Sequence, residues 1–125
     1  MQYHIVVLGN AWTTLNPSLK FFIENPRGKL RKLSVVQALP RTTIWYCTYG
    51  DSRAKPTDIW SNFIYGLDNP NGWIPRAECH NGNKNCHHES APRGSQSGTQ
   101  GRKGNYERSK IPSELCKEVM LKCKL

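Results

Sequence analysis

Acidic residues are scarce in this chain. Nine Asp and Glu face eighteen Lys and Arg, which leaves a formal net charge of +9 over 125 residues. That balance disfavours a basic partner and favours a polyanion such as nucleic acid. Long apolar runs are missing too. No stretch approaches the roughly 18 apolar residues of a membrane-spanning helix. Residues 1–8 are apolar but lack the basic flank and cleavage site of a secretory signal, so a cytoplasmic setting without a membrane is expected. The hydrophobic fraction of 37% limits the chain to a modest core, in one small domain or part of a larger one. Cysteine is not lacking, but its five copies are odd in number and unevenly spaced. Cys47, Cys79, Cys86, Cys116 and Cys123 therefore read as thiols or metal ligands rather than as a disulfide framework.

Residues 4–15 place Ile5, Leu8, Trp12 and Leu15 on one helical face. After the Asn16-Pro17-Ser18 turn, residues 19–24 read as a short buried strand that ends on a single acid, Glu24. Pro26 and Gly28 break it. Leu30, Leu33, Val36 and Leu39 have helical spacing, and Pro40 stops that helix. Residues 41–49, RTTIWYCTY, are the best strand in the sequence. Residues 55–60 suggest a turn or short helix with Thr57 or Asp58 as cap. From residue 68 to 105 apolar runs vanish and the chain reads as a long irregular insert or a disordered region. Pro112 and the stripe of Leu115, Cys116, Val119, Met120 and Cys123 mark a closing helix.

Three constellations carry chemistry. Glu24, at the end of an apolar strand, is followed by Arg27, Lys29 and Arg31, so an acid meets a basic turn. Ligands gather outside the carboxyl ends of strands in α/β sheets, and an acid in apolar surroundings can serve as a proton donor. The second is Cys79-His80 and Cys86-His87-His88 within ten residues of polar loop, a soft sulfur and imidazole set that suits tetrahedral zinc. Cys79, Cys86 and His87 are the expected ligands, and the fourth is His80, His88 or Cys47. The third is the Gly- and Ser-rich segment after Ala91. There Arg93, Arg102 and Lys103 suit phosphate contacts, and Gln96 and Gln100 suit base edges.

Four blocks in one order carry a resemblance: FFIENPRGKLRKL, LPRTTIWYCTYGDSRAKPTDIWSN, CHHESAPRGSQSGTQG and RSKIPSELCKEV. Together, over residues 15–120, they resemble the carboxyl-terminal part of DNA cytosine-5 methyltransferases, most closely the bacteriophage-encoded group. The resemblance implies an α/β fold, a partial S-adenosylmethionine-dependent, Rossmann-like sheet with an irregular target-recognition insert, which the cysteine and histidine set above would stabilise through zinc. It divides the chain into a partial core at 1–66, a basic DNA-recognition insert at 67–108, and a returning helix at 109–125. It implies that Glu24 contacts N3 of a flipped cytosine, with Asn25 holding the turn. Pro26 stands where the wider family has Val.

The same resemblance exposes two gaps. The family's Pro-Cys nucleophile motif and its glycine-rich cofactor loop have no counterpart in this sequence. The chain is therefore expected to be inactive alone, a truncated or split product that a second chain would complete with the nucleophile and the S-adenosylmethionine site. The competing expectation is a small zinc-stabilised module that binds nucleic acid or protein without catalysis. A degenerate product is the third.

Overall fold

The structure is a computed structural model that describes residues 4–8, 19–89 and 109–123. Four strands form one sheet in the order β1-β2-β4-β3: β1 (His4–Leu8), β2 (Lys20–Pro26), β3 (Arg41–Trp45) and β4 (Pro56–Ser61). Every neighbouring pair is antiparallel. Because β2 and β3 both run against β4, they run in the same direction as each other. Residues 27–40 join them as a crossover with two helical turns, a 3-10 turn at Lys29–Lys32 and the one-turn helix α1 (Ser34–Gln37). The closing helix α2 spans Ser113–Lys122.

Strand alternation sorts the sheet into two buried faces. Trp60 pairs with Ile23 and Arg41, and packs with Leu30 and Val36 of the crossover, flanked by Ile23 and Leu39. On the opposite face Phe22, Ile44 and Ile59 pack with Tyr46, Tyr49, Trp73 and the α2 residues Leu115 and Val119. Helical elements thus cover both faces, which makes this a small α/β unit. Being covered on both sides leaves β4 without a solvent-exposed face. Thr57, Asp58 and Ser61 are all fully buried.

Several elements differ from the sequence expectation. Residues 4–8 form a strand rather than the start of a helix, and the remainder of that predicted helix lies outside the described residues. The helix expected over 30–39 is split, because Leu33 adopts extended backbone (φ −79°, ψ 139°) between the two short turns. Residues 55–60 do not form a capped helix; 56–60 belong to the inner strand β4. Asp58 there meets Arg31, which donates to both carboxylate oxygens at 2.9 and 2.7 Å, while Thr43 donates at 2.8 Å. The best predicted strand ends at Trp45. Residues Tyr46–Tyr49 turn back as a 3-10 turn closed by Gly50 in the left-handed region (φ 89°). A Rossmann-like sheet is built on parallel neighbours, and the insertion of β4 between β2 and β3 removes that pairing here.

Beyond β4 the chain is irregular but well paired. Trp73 and Phe63–Tyr65 exchange backbone hydrogen bonds of 2.7 and 2.8 Å. Arg76 then fastens this stretch to α2, donating to Glu114 and Glu118 at 3.0 Å each and to the Thr48 carbonyl at 2.7 Å. Among the described residues no helix is long and apolar enough to cross a membrane.

Candidate metal centre and the Glu24 site

The Tyr46–Tyr49 turn leaves the carboxyl end of β3 and carries Cys47 inward, 2% exposed. Opposite it, residues 79–86 make a compact loop. Asn83 N–H donates to His80 O, Cys86 N–H donates to Asn83 O, and Gly82 takes a left-handed φ of 77°. The loop returns Cys79 and Cys86 to the same spot, where they pack with Trp45, Cys47 and Ala54. His88 completes the group with its Nδ1 3.6 Å from Cys79 Sγ. The donor atoms of Cys47, Cys79, Cys86 and His88 all lie within 4.8 Å of one another. Tetrahedral zinc with bonds of about 2.3 Å to sulfur sets neighbouring donors about 3.8 Å apart. A contraction of about 1 Å or less would bring this Cys3His set around an ion, so the cluster can hold a metal such as zinc.

The thiol electrostatics are those of a ligand set. Burial pushes the Cys47 thiol well above its ordinary value, and the neighbouring sulfurs of Cys79 and Cys86 add to that. Burial also opposes ionisation of Cys79, yet hydrogen bonds from Asn83 and from the Cys47 thiol draw its pKa below the ordinary value. Asn83 Nδ2 donates to Cys79 Sγ at 3.4 Å. A cation entering the cluster would favour the thiolate form of its cysteines.

The sequence reading named Cys79 and Cys86, and the structure brings both together. His87 was expected beside them but turns the other way, with Nε2 3.1 Å from the Asp51 carbonyl. In a non-helical run successive side chains project to opposite sides, so Cys86 and His88 share a side and His87 does not. Of the alternatives for the fourth position, His80 bonds instead to Asn81 O at 2.9 Å. Cys47 belongs to the cluster, from a turn rather than a strand.

Glu24 is 4% exposed and lies within β2, paired with Ile59, rather than at the strand's mouth. Tyr46 Oη, itself fully buried, donates to Glu24 Oε1 at 2.6 Å. Burial, reinforced by Glu24, drives the Tyr46 hydroxyl pKa far above its ordinary range, so it remains a donor. Arg53 and Lys55 stand over the Tyr46 ring at 5.2 and 5.0 Å. A cavity of about 150 Å³ between sheet and α2 is lined by Phe22, Glu24, Ile59, Leu115, Cys116 and Val119 among others. Asn25 is buried beside Glu24 within β2, and its Nδ2 donates to Pro26 O at 3.1 Å. Neither Tyr46 nor Arg53 stood out in the sequence, because nothing local marks a tyrosine twenty-two residues from its acid.

The candidate DNA contacts have different surroundings. Lys29 is exposed, and Arg27 stacks over Trp45 at 5.5 Å. Arg31 is committed to Asp58 and Thr43. Arg93, Gln96, Gln100, Arg102 and Lys103 lie outside the described residues.

One short turn ties these parts together. Arg53, 2% exposed, is doubly paired to Asp51, and its Nη2 also donates to the Lys110 carbonyl at 2.9 Å. Glu89 N–H donates to Ser52 O at 2.8 Å. No family model, no curated protein and no solved structure matches this chain.

Proposed function

We propose that the chain is the DNA-binding, carboxyl-terminal portion of a DNA cytosine methyltransferase. In the complete enzyme it would line a flipped-base pocket with Glu24, while the missing half would bring the nucleophile and S-adenosylmethionine. The observation that carries this reading is the convergence on Glu24. The carboxylate on β2 is held by Tyr46 from the second resembling block, and α2 from the fourth block lines the same cavity. A rigid hydrogen-bonded carboxyl group suits contact with N3 of a cytosine, where it would offset charge developing on the ring. The parallel course of β2 and β3, linked by a helical crossover with helices on both faces, is compatible with part of a Rossmann-like sheet in which β1 and β4 run in the reverse direction. The excess of positive charge and exposed Lys29 favour DNA as partner. Zinc is the ion that suits the Cys3His cluster, in a structural role, since four protein ligands leave no open position.

Binding to duplexes that carry a paired or a mismatched cytosine tests the reading, because flipping costs less from a mismatch. Affinity should fall steeply with salt, the mismatch should bind tighter, and Glu24→Gln should erase that preference while leaving the salt dependence intact. Salt-independent or absent binding refutes it. The Cys3His cluster also favours a second reading, a zinc-stabilised binding module without catalysis. There Glu24→Gln would change no binding property.

A further inference from the structure

We propose that the metal centre is a positioning device for Glu24. An ion held by Cys47, Cys79, Cys86 and His88 would fix the Tyr46–Tyr49 turn and, through the Tyr46 hydroxyl, the Glu24 carboxylate. This inference rests on zinc as the occupant of the cluster and adds a coupling between two sites.

Cys47 and Tyr46 are adjacent in a turn of four residues, so displacement of one is transmitted to the other. The turn is gripped on three sides. Tyr46 N–H donates to Ala54 O at 3.1 Å, and Asp51 N–H donates to Tyr46 O at 3.2 Å. Arg76 N–H donates to Tyr49 Oη at 3.0 Å. The remaining side is the cysteine cluster. Residues 74–89 contain no helix or strand, and their buried contact with Trp45, Cys47 and Ala54 is made through Cys79 and Cys86. A loop so poor in apolar anchors gains its order from the ion. The ion in turn removes the freedom of Cys47 to rotate away from the sheet. The hydroxyl 2.6 Å from Glu24 is carried by the preceding residue. Tyr46 and Cys47 are thus positioning residues.

Thermodynamic reciprocity provides the test. If zinc fixes the Tyr46–Glu24 pair, breaking that pair must weaken zinc by the same factor. Zinc affinity is measured by competition with a chromophoric chelator, under reducing conditions, on the full chain. Zinc content is measured separately by elemental analysis. One zinc per chain is expected, with His88→Ala weakening it at least about tenfold and His87→Ala leaving it unchanged. Tyr46→Phe and Glu24→Leu, each of which removes one partner of that hydrogen bond, should each weaken zinc about fivefold or more, the range of ordinary couplings, and the double variant no further than either single one. Exposed Tyr65→Phe is the control, with no change expected. A general loss of stability would make the two single effects add, whereas action through one hydrogen bond makes them coincide. Stoichiometric zinc with Tyr46→Phe within twofold of the parent overturns the coupling alone. No zinc in any preparation overturns the metal assignment itself.

Discussion

Replacing Arg31 by Met tests the sheet's internal electrostatics. Asp58 is fully buried in the central strand, and Arg31 supplies its counter-charge through two donated hydrogen bonds at 2.9 and 2.7 Å. The pair raises the Arg31 pKa, with the Asp58 hydrogen bond as the largest cause, so the guanidinium remains charged throughout the accessible pH range. Arg31→Met leaves the Thr43 hydroxyl donating to a carboxylate that has no exposure to water. Removing one partner of a buried pair costs about 3–5 kcal/mol. The Arg31 side chain is 28% exposed, so water partly replaces it and the lower end, about 3 kcal/mol, applies. For a domain of this size about 4 °C of melting temperature accompanies each kcal/mol, which gives a fall of about 12 °C. Thermal unfolding followed by circular dichroism reads this directly. The companion variant Arg31→Met with Asp58→Leu removes both charges and should recover most of the loss, because an apolar pair leaves no orphaned carboxylate. A shift under about 3 °C for Arg31→Met, or a double variant worse than the single one, would refute the reasoning.

Gly72→Ala should be strongly destabilising, by about 2 kcal/mol or more, because its Cβ would meet backbone atoms of Tyr65, Ile64 and Phe63 at 2.7–2.9 Å. Denaturant titration measures it, and a neutral result would mean that the 63–73 bridge is not tightly closed. Arg76→Ala removes two half-exposed ion pairs and should cost about 1 kcal/mol, less at high salt. Burial raises the thiol pKa of both Cys116 and Cys123 above the ordinary 9.0. The folded state therefore retains protons that the unfolded chain sheds. The stabilisation from these thiols is full below about pH 9 and is lost as pH rises through their higher folded values. Alkylation followed by mass spectrometry at pH 9 should find both slower than a cysteine peptide.

Much of the scaffold was legible because local pattern and tertiary role agree there. The apolar run at Phe21–Ile23 is a strand, and the stripe of Leu115 and Val119 is the buried face of α2. Residues 55–60 misled because Pro56, Thr57 and Asp58 have the chemistry of a helix start. Pairing on both edges and burial on both faces outweigh that local preference. At the metal site, Cys79 and Cys86 were legible from spacing, and the same-side rule for alternate residues could have chosen His88 over His87. Cys47 was legible only as one of three alternatives for the fourth ligand, because its distance in sequence carries no periodic signal. The hold of Tyr46 on Glu24 is likewise a product of topology, in which β3 is brought back beside β2 across β4.

The Asp51–Arg53 turn has a consequence for how this chain can vary. Glu89 is bonded to Ser52 and Lys110 to Arg53, so the chain departs from and comes back to a single place on the scaffold. With both ends of an excursion fixed together, doubling its length adds only about 0.6 kcal/mol of closure entropy. The turn therefore ties residues 89 and 110 to one spot on the scaffold, so the number of residues between them can change at little cost to the fold.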